Sequence, residues 1–163
     1  MEQIMKMRFY LPAVAALFFS FLILASCGED DNNNPVNPPA KEKSYIKAKI
    51  TTGDYNEDYS TDSVNYSVTG SNIIIKSNEV TGIYLSFPKN ALGTFPIDSL
   101  TYVGQFFQSQ QTLQVKYMGY NGWITITQND TTKIKGTFNF NGKTEKDNKN
   151  VEVNSGEFQY VFK

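Results

Sequence analysis

The sequence predicts an all-β protein, with a single antiparallel β-sandwich or partly open barrel of about eight to ten short strands. Apolar and polar residues alternate one by one along much of residues 44–163, as they do in strands that bury one face. No long apolar stripe recurs there at helical spacing. A sandwich and a barrel alternate in the same way, and the sandwich is the preferred form.

The predicted strands follow one another at short intervals. The alternation begins at Ile46, Ala48 and Ile50, which have lysines between them. It continues through the segments VNYSV, NIIIKS, GIYLSF, TYVGQFF, TLQVKYMG, GWITIT, TKIKGTFNF, VEV and EFQYVF. Strands this short are typical of antiparallel sheets in which neighbours in sequence are neighbours in space.

Asn121-Gly122 is the strongest turn signal in the chain, because both residues tolerate positive φ. It predicts a two-residue hairpin in which Tyr120 faces Trp123. The core face then carries Leu113, Val115, Tyr117, Ile124 and Ile126. The more solvent-exposed face carries Lys116, Met118, Tyr120, Trp123, Thr125 and Thr127.

The next predicted strand follows Asn129. A two-residue turn there would point a lysine inward, so a loop of about three or five residues is favoured. That loop pairs Ile126 with Ile134 and extends the core face to Phe138 and Phe140.

The last predicted turn is Asn154-Ser155. It pairs Val151 with Phe158 and leaves Tyr160 and Phe162 on the same face. The C-terminal strands are therefore expected to belong to the core.

Residues 1–26 are predicted to be a lipoprotein signal peptide. The uncharged stretch from 9 to 26 follows Lys6 and Arg8. At about 18 residues and interrupted by Pro12, it is short for a transmembrane helix. Leu24-Ala25-Ser26-Cys27 resembles a bacterial lipobox. This resemblance implies cleavage before Cys27 and a diacylglycerol on its sulfur, which anchors the protein to a membrane.

Residues 27–43 are predicted to be a disordered tether, because they are rich in acidic residues, asparagine and proline and have few apolar side chains. Glu29-Asp30-Asp31 resembles the export signal of Bacteroidota-type lipoproteins. This resemblance implies an outer-membrane lipoprotein that faces the cell surface. The β domain is expected to span residues 44–163.

Gly136-Thr137-Phe138 and Gly156-Glu157-Phe158 are two Gly-x-Phe tripeptides near the end of the chain. At these positions the C-terminal third resembles a family of small Bacteroidota lipoproteins of unknown function. The resemblance implies an all-β fold and a cell-envelope location, and it implies no activity.

The residue inventory argues against several classes of function. The chain has no histidine and one cysteine, Cys27, so His/Cys metal sites and histidine-dependent nucleophiles cannot form. Cleavage after Ser26 removes two of the 15 basic and one of the 16 acidic residues, leaving 13 and 15. A nearly neutral chain with scattered lysines is not expected to bind nucleic acid. We expect a non-enzymatic protein without a cofactor, and a carboxylate-dependent hydrolase is the least favoured alternative.

Tyr120 and Trp123, with Met118 and Thr137 nearby, are the predicted binding residues. Aromatic rings on an exposed sheet face can stack on a sugar or contact a protein partner in the envelope. Alternatively, the two rings only stabilise the hairpin, and the protein is a structural envelope component without a small ligand.

A lipocalin-like barrel holding an apolar ligand is another alternative. Its interior cavity would be lined by residues such as Tyr66, Phe107 and Tyr117.

Asp54, Asn56 and Asp58 have the alternate spacing of calcium ligands. Tyr59 occupies the position at which an EF-hand has glycine, and Asn65 the position of the bidentate glutamate. A solvated acidic loop is therefore the favoured interpretation.

Ser63, Ser99 and Thr131 each follow an aspartate and precede Val64, Leu100 and Thr132. These tripeptides resemble the acceptor motif for O-glycosylation in Bacteroidota.

Overall fold

A computed structural model describes residues 40–53, 56–110 and 113–163. It confirms the predicted all-β fold. The strands are β1 (Tyr45–Thr52), β2 (Asn56–Thr61), β3 (Val64–Thr69), β4 (Asn72–Ser77), β5 (Gly82–Pro88), β6 (Gly93–Pro96), β7 (Val103–Gln110), β8 (Leu113–Asn129), β9 (Lys133–Lys143) and β10 (Asn150–Val161). Within the described ranges, no helix is long and apolar enough to cross a membrane.

The strands form one antiparallel sheet in the order β2-β1-β10-β9-β8-β7-β5-β4-β3, and β6 pairs with β8. The sheet curls into a half-barrel. Phe87 on β5 and Phe158 on β10 are separated along the sheet by β7, β8 and β9, yet their ring centroids lie 5.5 Å apart. Of the two predicted architectures, the structure therefore has the partly open barrel.

The hydrophobic core fills the concave side of this curl. Ile46, Ala48 and Ile50 are buried on β1, as the alternation predicts. The largest fully buried side chains come from strands across the whole sheet: Tyr117, Phe87, Phe106, Phe138, Phe158, Ile46, Ile50, Ile73, Ile75, Ile83, Leu85 and Ile124. Along β1, β4 and β9 buried residues alternate with exposed or half-buried ones, so the opposite face of these strands forms an outer surface.

The hairpin predicted at Asn121-Gly122 is wrong. The whole of β8 is one strand, because it pairs with β9 on one edge and with β7 and then β6 on the other. A turn would break both ladders. A register shift occurs instead between Gly119 and Asn121. Gly122 has φ of +149°, and a Cβ there would lie 2.2 Å from the Asn139 carbonyl oxygen. The absence of a side chain at Gly122 therefore allows β8 and β9 to pack closely at this point.

The two predicted faces of β8 are nevertheless correct, because one extra residue in a bulge reverses the alternation just as a two-residue turn does. Tyr117, Ile124 and Ile126 are buried, and Val115 packs against the core. The side chain of Leu113 lies outside the described part. The opposite face is exposed or half-buried at Lys116, Met118, Tyr120, Trp123, Thr125 and Thr127.

The predicted pairing of Ile126 with Ile134 is also wrong. Gly136 lies opposite Ile126, and Ile134 lies opposite Asn129. A register shift between Ile126 and Gln128 accounts for the difference. Ile134, Phe138 and Phe140 are buried on the core face, as predicted.

The turn predicted at Asn154-Ser155 does not occur, because β10 runs through it. The register shifts between Val153 and Gly156, and Ser155 has φ of +51°. These features are typical of a bulge within a strand. Tyr160 and Phe162 pack against the core, as expected for this face.

A polar cluster joins edge strand β2 to the segment between β4 and β5. The hydroxyls of Thr61 and Tyr59 both donate to the Glu79 carboxylate, Tyr59 at 3.5 Å. Burial is the main cause that raises the pKa of Tyr59 to about 12, and the Glu79 charge adds to it. The cluster links two parts of the sheet that are distant in strand order.

We expect Tyr59→Phe to change how stability depends on alkaline pH. The folded protein holds the Tyr59 proton more tightly than the unfolded chain, whose tyrosine pKa is near 10. The stabilisation that the protonated Tyr59 hydroxyl gives the folded protein is fully present below pH 10 and is lost as the pH rises toward 12. Urea unfolding of both proteins at pH 8 and pH 11 measures it. The stability difference between them should shrink at pH 11, and an unchanged difference contradicts the assignment.

Candidate functional site

A polar cleft of about 270 Å³ lies on the outer surface of β8, β9 and β10. We call it the amide cleft. Its side chains include four asparagines, one tryptophan and one glutamate: Asn121, Trp123, Asn139, Asn141, Glu152 and Asn154. The outward positions of three adjacent strands supply this set, because successive side chains of a strand alternate between faces.

Strand register determines how these side chains neighbour one another. Trp123 lies directly opposite Asn139, and Asn121 lies opposite Asn141. Glu152 lies opposite Asn141 on its other side. Directly opposed residues have Cβ atoms about 4.5–5.5 Å apart. The indole therefore stands at one side of the cleft beside the Asn139 amide, and the Glu152 carboxylate lies two strands away at the other side.

The polar groups of the amide cleft can bind a ligand. In the described part of the chain, no hydrogen bond engages the side chains of Asn121, Asn139, Asn141, Glu152 or Asn154. Each asparagine offers two N–H donors and a carbonyl acceptor, and the glutamate offers acceptors only. Trp123 is 37% exposed. The cleft thus combines an accessible ring with both donors and acceptors.

Tyr120 lines a neighbouring groove of about 300 Å³ together with Met118 and Lys143. We call it the Tyr120 groove. The Lys143 ammonium lies 4.6 Å from the centroid of the Tyr120 ring, a geometry of attraction between a cation and an aromatic face. Tyr120 is 49% exposed.

The predicted aromatic pair is therefore only partly correct. Tyr120 and Trp123 are both exposed on the outer face, as predicted. They do not oppose each other across a hairpin, because both lie in β8 and line different clefts.

The position of Thr137 also follows from the register. It lies opposite Thr125, on the outer face and two residues from Asn139. The hydroxyls of Thr125 and Thr94 share a hydrogen bond of 2.8 Å. Thr137 thus lies beside the amide cleft without lining it.

The predicted calcium ligands are only partly described. Asn56 and Asp58 are exposed on β2, opposite Thr51 and Lys49. The side-chain oxygen of Asn56 accepts a hydrogen bond from Thr51. Asp54 lies outside the described residues, within which no cluster of three candidate ligands occurs.

The predicted O-glycosylation sites differ in exposure. Thr131 is exposed in the turn between β8 and β9. Ser63 and Ser99 are half-buried, and Ser99 has φ of +65°. Modification of the three residues stays a prediction.

The aspartates at two of these sites have a structural role. One Asp98 carboxylate oxygen accepts hydrogen bonds from the backbone N–H groups of residues 100–102. These hydrogen bonds lower the pKa of Asp98. Asp130 accepts hydrogen bonds from Thr132, Gln128 and Lys133, which hold the pKa of its carboxyl far below its usual value. Both carboxylates stabilise turns.

The three residues suggested for a lipocalin-like cavity lie in different surroundings. Tyr117 is buried against Phe106. Tyr66 stacks on Tyr160. Phe107 lines a groove on the outer face.

The chain enters the domain next to its C-terminal strand. The Lys43 carbonyl accepts a hydrogen bond from Gln159, and the Ser44 hydroxyl accepts one from the backbone of Val161. Cys27, the predicted signal peptide and the predicted tether up to residue 39 lie outside the described residues.

Sequence reasoning missed the asparagines of the amide cleft. Asparagine is depleted in strands and typical of turns, so Asn121 and Asn154 were assigned to turns. Only the strand register brings these residues together with Asn139 and Asn141, and no spacing in the sequence reports it.

The comparisons with known proteins give one family and no characterised relative. A family model described as "Domain of unknown function (DUF6252)" matches residues 45–162. No curated protein and no solved structure matches the chain. The matched range contains all ten strands and both clefts.

Proposed function

This chain belongs to the DUF6252 family of domains of unknown function, and we propose that it is a lipid-anchored, non-enzymatic protein that binds carbohydrate in the amide cleft. The observation that carries the proposal is the exposed Trp123 beside a cleft of unengaged asparagine amides. Indole rings stack on the apolar face of a sugar, while amides match its hydroxyl groups, which both donate and accept. No cofactor is required.

The place where the chain enters the domain is consistent with this role. Ser44 lies near Gln159, which pairs with Lys135 of β9. The amide cleft begins at Asn139 and the Tyr120 groove at Lys143, about 13 and 27 Å further along that strand. Both clefts therefore lie toward the end of β9 that is distant from Ser44.

The carbohydrate-binding proposal is tested on a glycan array with the full chain. The array should hold neutral, uronate-containing and sulfated polysaccharides. We expect saturable binding to a subset of them, and Trp123→Ala should abolish it. An array on which no member binds, in an assay where a known lectin does, contradicts the proposal and favours a protein partner or a purely structural role.

The proposed lipid anchor rests on the resemblance of residues 24–27 to a lipobox, and Cys27→Ala tests it. Without the thiol no acyl chain can be attached, so metabolic labelling with a tagged fatty acid should mark the unsubstituted protein and leave the variant unlabelled. Mass spectrometry should find an acylated N-terminal Cys27 only in the unsubstituted protein. An unmodified cysteine, or equal labelling of both proteins, contradicts the anchor.

A further inference from the structure

A third groove, of about 500 Å³ and larger than the two already described, lies on the outer face of β4, β5, β7 and β8. We call it the lysine groove. The residues that define it are Lys76, Tyr84, Gln105, Phe107 and Lys116. The sequence gives no motif for this set, because its members come from four strands.

Two aromatic residues form the floor of the lysine groove. Tyr84 lies opposite Lys76 on β4 and opposite Gln105 on β7. Phe107 lies opposite Gly82, where a Cβ would come 3.0 Å from the ring. The missing side chain lets the ring lie close to the sheet, so the floor offers flat apolar surface.

Lysines stand at the two sides of this floor. Lys76 is on β4 and Lys116 is on β8, three strand spacings or about 14 Å apart across the sheet. In the described part of the chain, neither ammonium has a carboxylate within salt-bridge distance. The one carboxylate that lines the groove, Glu79, accepts hydrogen bonds from Tyr59 and Thr61. The two cations are therefore available to an anion.

The lysine groove borders the Tyr120 groove. Gln105 at its edge lies opposite Met118, and Met118 lies opposite Lys143 on β9. Met118 and Lys143 both line the Tyr120 groove, which borders the amide cleft at Asn121. One row of outward side chains thus crosses five strands and carries a lysine at each end, Lys76 and Lys143.

From this row of side chains we infer that the ligand is an extended polysaccharide bearing anionic groups, carboxylate or sulfate, which Lys76 and Lys116 contact while Trp123 stacks on another sugar of the same chain. The inference rests on the proposed function and adds the charge and length of the ligand. Ammonium groups beside aromatic rings suit an anionic sugar, because the ring contacts its apolar face and the ammonium pairs with its charge.

The test compares the full chain with Lys76→Gln/Lys116→Gln on the same glycan array. Lys89→Gln/Lys135→Gln is the matched control, because it removes the same charge from exposed residues outside the groove. We expect the unsubstituted chain to prefer polysaccharides that carry carboxylate or sulfate, with binding that weakens as salt is added. The groove variant should lose about tenfold or more of the affinity for them, and the control should lose little.

Two results overturn the inference and leave the proposed function standing. One is Trp123-dependent binding confined to neutral glycans. The other is an equal loss in the groove variant and in the control, which would show diffuse attraction by surface charge. Binding to no glycan at all contradicts the proposed function as well, so the two failures are distinguishable.

Discussion

Substitution of Trp123 by alanine is expected to weaken carbohydrate binding about 30-fold or more, a loss of about 2 kcal/mol in binding free energy. The indole is the accessible ring of the amide cleft, and no other side chain there can replace its flat surface. Trp123→Phe retains part of the stacking surface, so its affinity should lie between that of the unsubstituted chain and that of Trp123→Ala. Isothermal titration with a glycan identified on the array measures these affinities.

Tyr45→Ala is the control for this substitution. It removes a half-buried aromatic residue from β1, at the end of the domain where the chain enters. It should leave binding unchanged. Equal losses in both variants, or a Trp123→Ala variant that binds like the unsubstituted chain, contradict the assignment. Thermal unfolding checks that each variant is folded.

Substitution of Phe158 by alanine is expected to lower the free energy of unfolding by about 3–5 kcal/mol. The ring is fully buried and lies 5.5 Å from that of Phe87 and 6.3 Å from that of Phe138. It therefore connects strands on opposite sides of the half-barrel, and its removal leaves a cavity between them. Urea unfolding at neutral pH measures the loss.

Leu100→Ala provides the reference for this measurement, because that side chain is 88% exposed. It should change stability by less than about 0.5 kcal/mol. A Phe158→Ala variant as stable as Leu100→Ala would contradict the curled packing, since in a flatter sheet β10 and β5 would not share a core.

The sequence correctly predicts which residues face the core but not how the strands pair. Alternation reports the face of each residue, and it identified Tyr117, Ile124 and Phe138 as buried. Register depends on bulges, and those near Tyr120 and Ser155 were interpreted as turns. A bulge and a two-residue turn shift the alternation equally, so local pattern cannot distinguish them.

The candidate site was predicted at Tyr120, Trp123 and Met118, which lie on one strand. Tyr120 and Trp123 are exposed, as expected for residues that the sequence places on the more solvent-exposed face of this segment. Other residues form a candidate site only together with neighbours on other strands. These are Asn139 and Asn141 of the amide cleft and Lys76 and Lys116 of the lysine groove. A curled sheet brings such residues together through pairings that are distant in sequence, which a single chain read in order does not reveal.

The intrinsic fluorescence of the full chain tests the carbohydrate-binding account most directly, because Trp123 is the only tryptophan in the sequence. Titration with a glycan that binds on the array should shift or quench the emission in a saturable manner, with a midpoint equal to the independently measured Kd. Stacking on the indole replaces water around the ring, and this changes its emission. A glycan that binds with the same affinity but leaves the emission unchanged would contradict the claim that Trp123 and the amide cleft form the binding site.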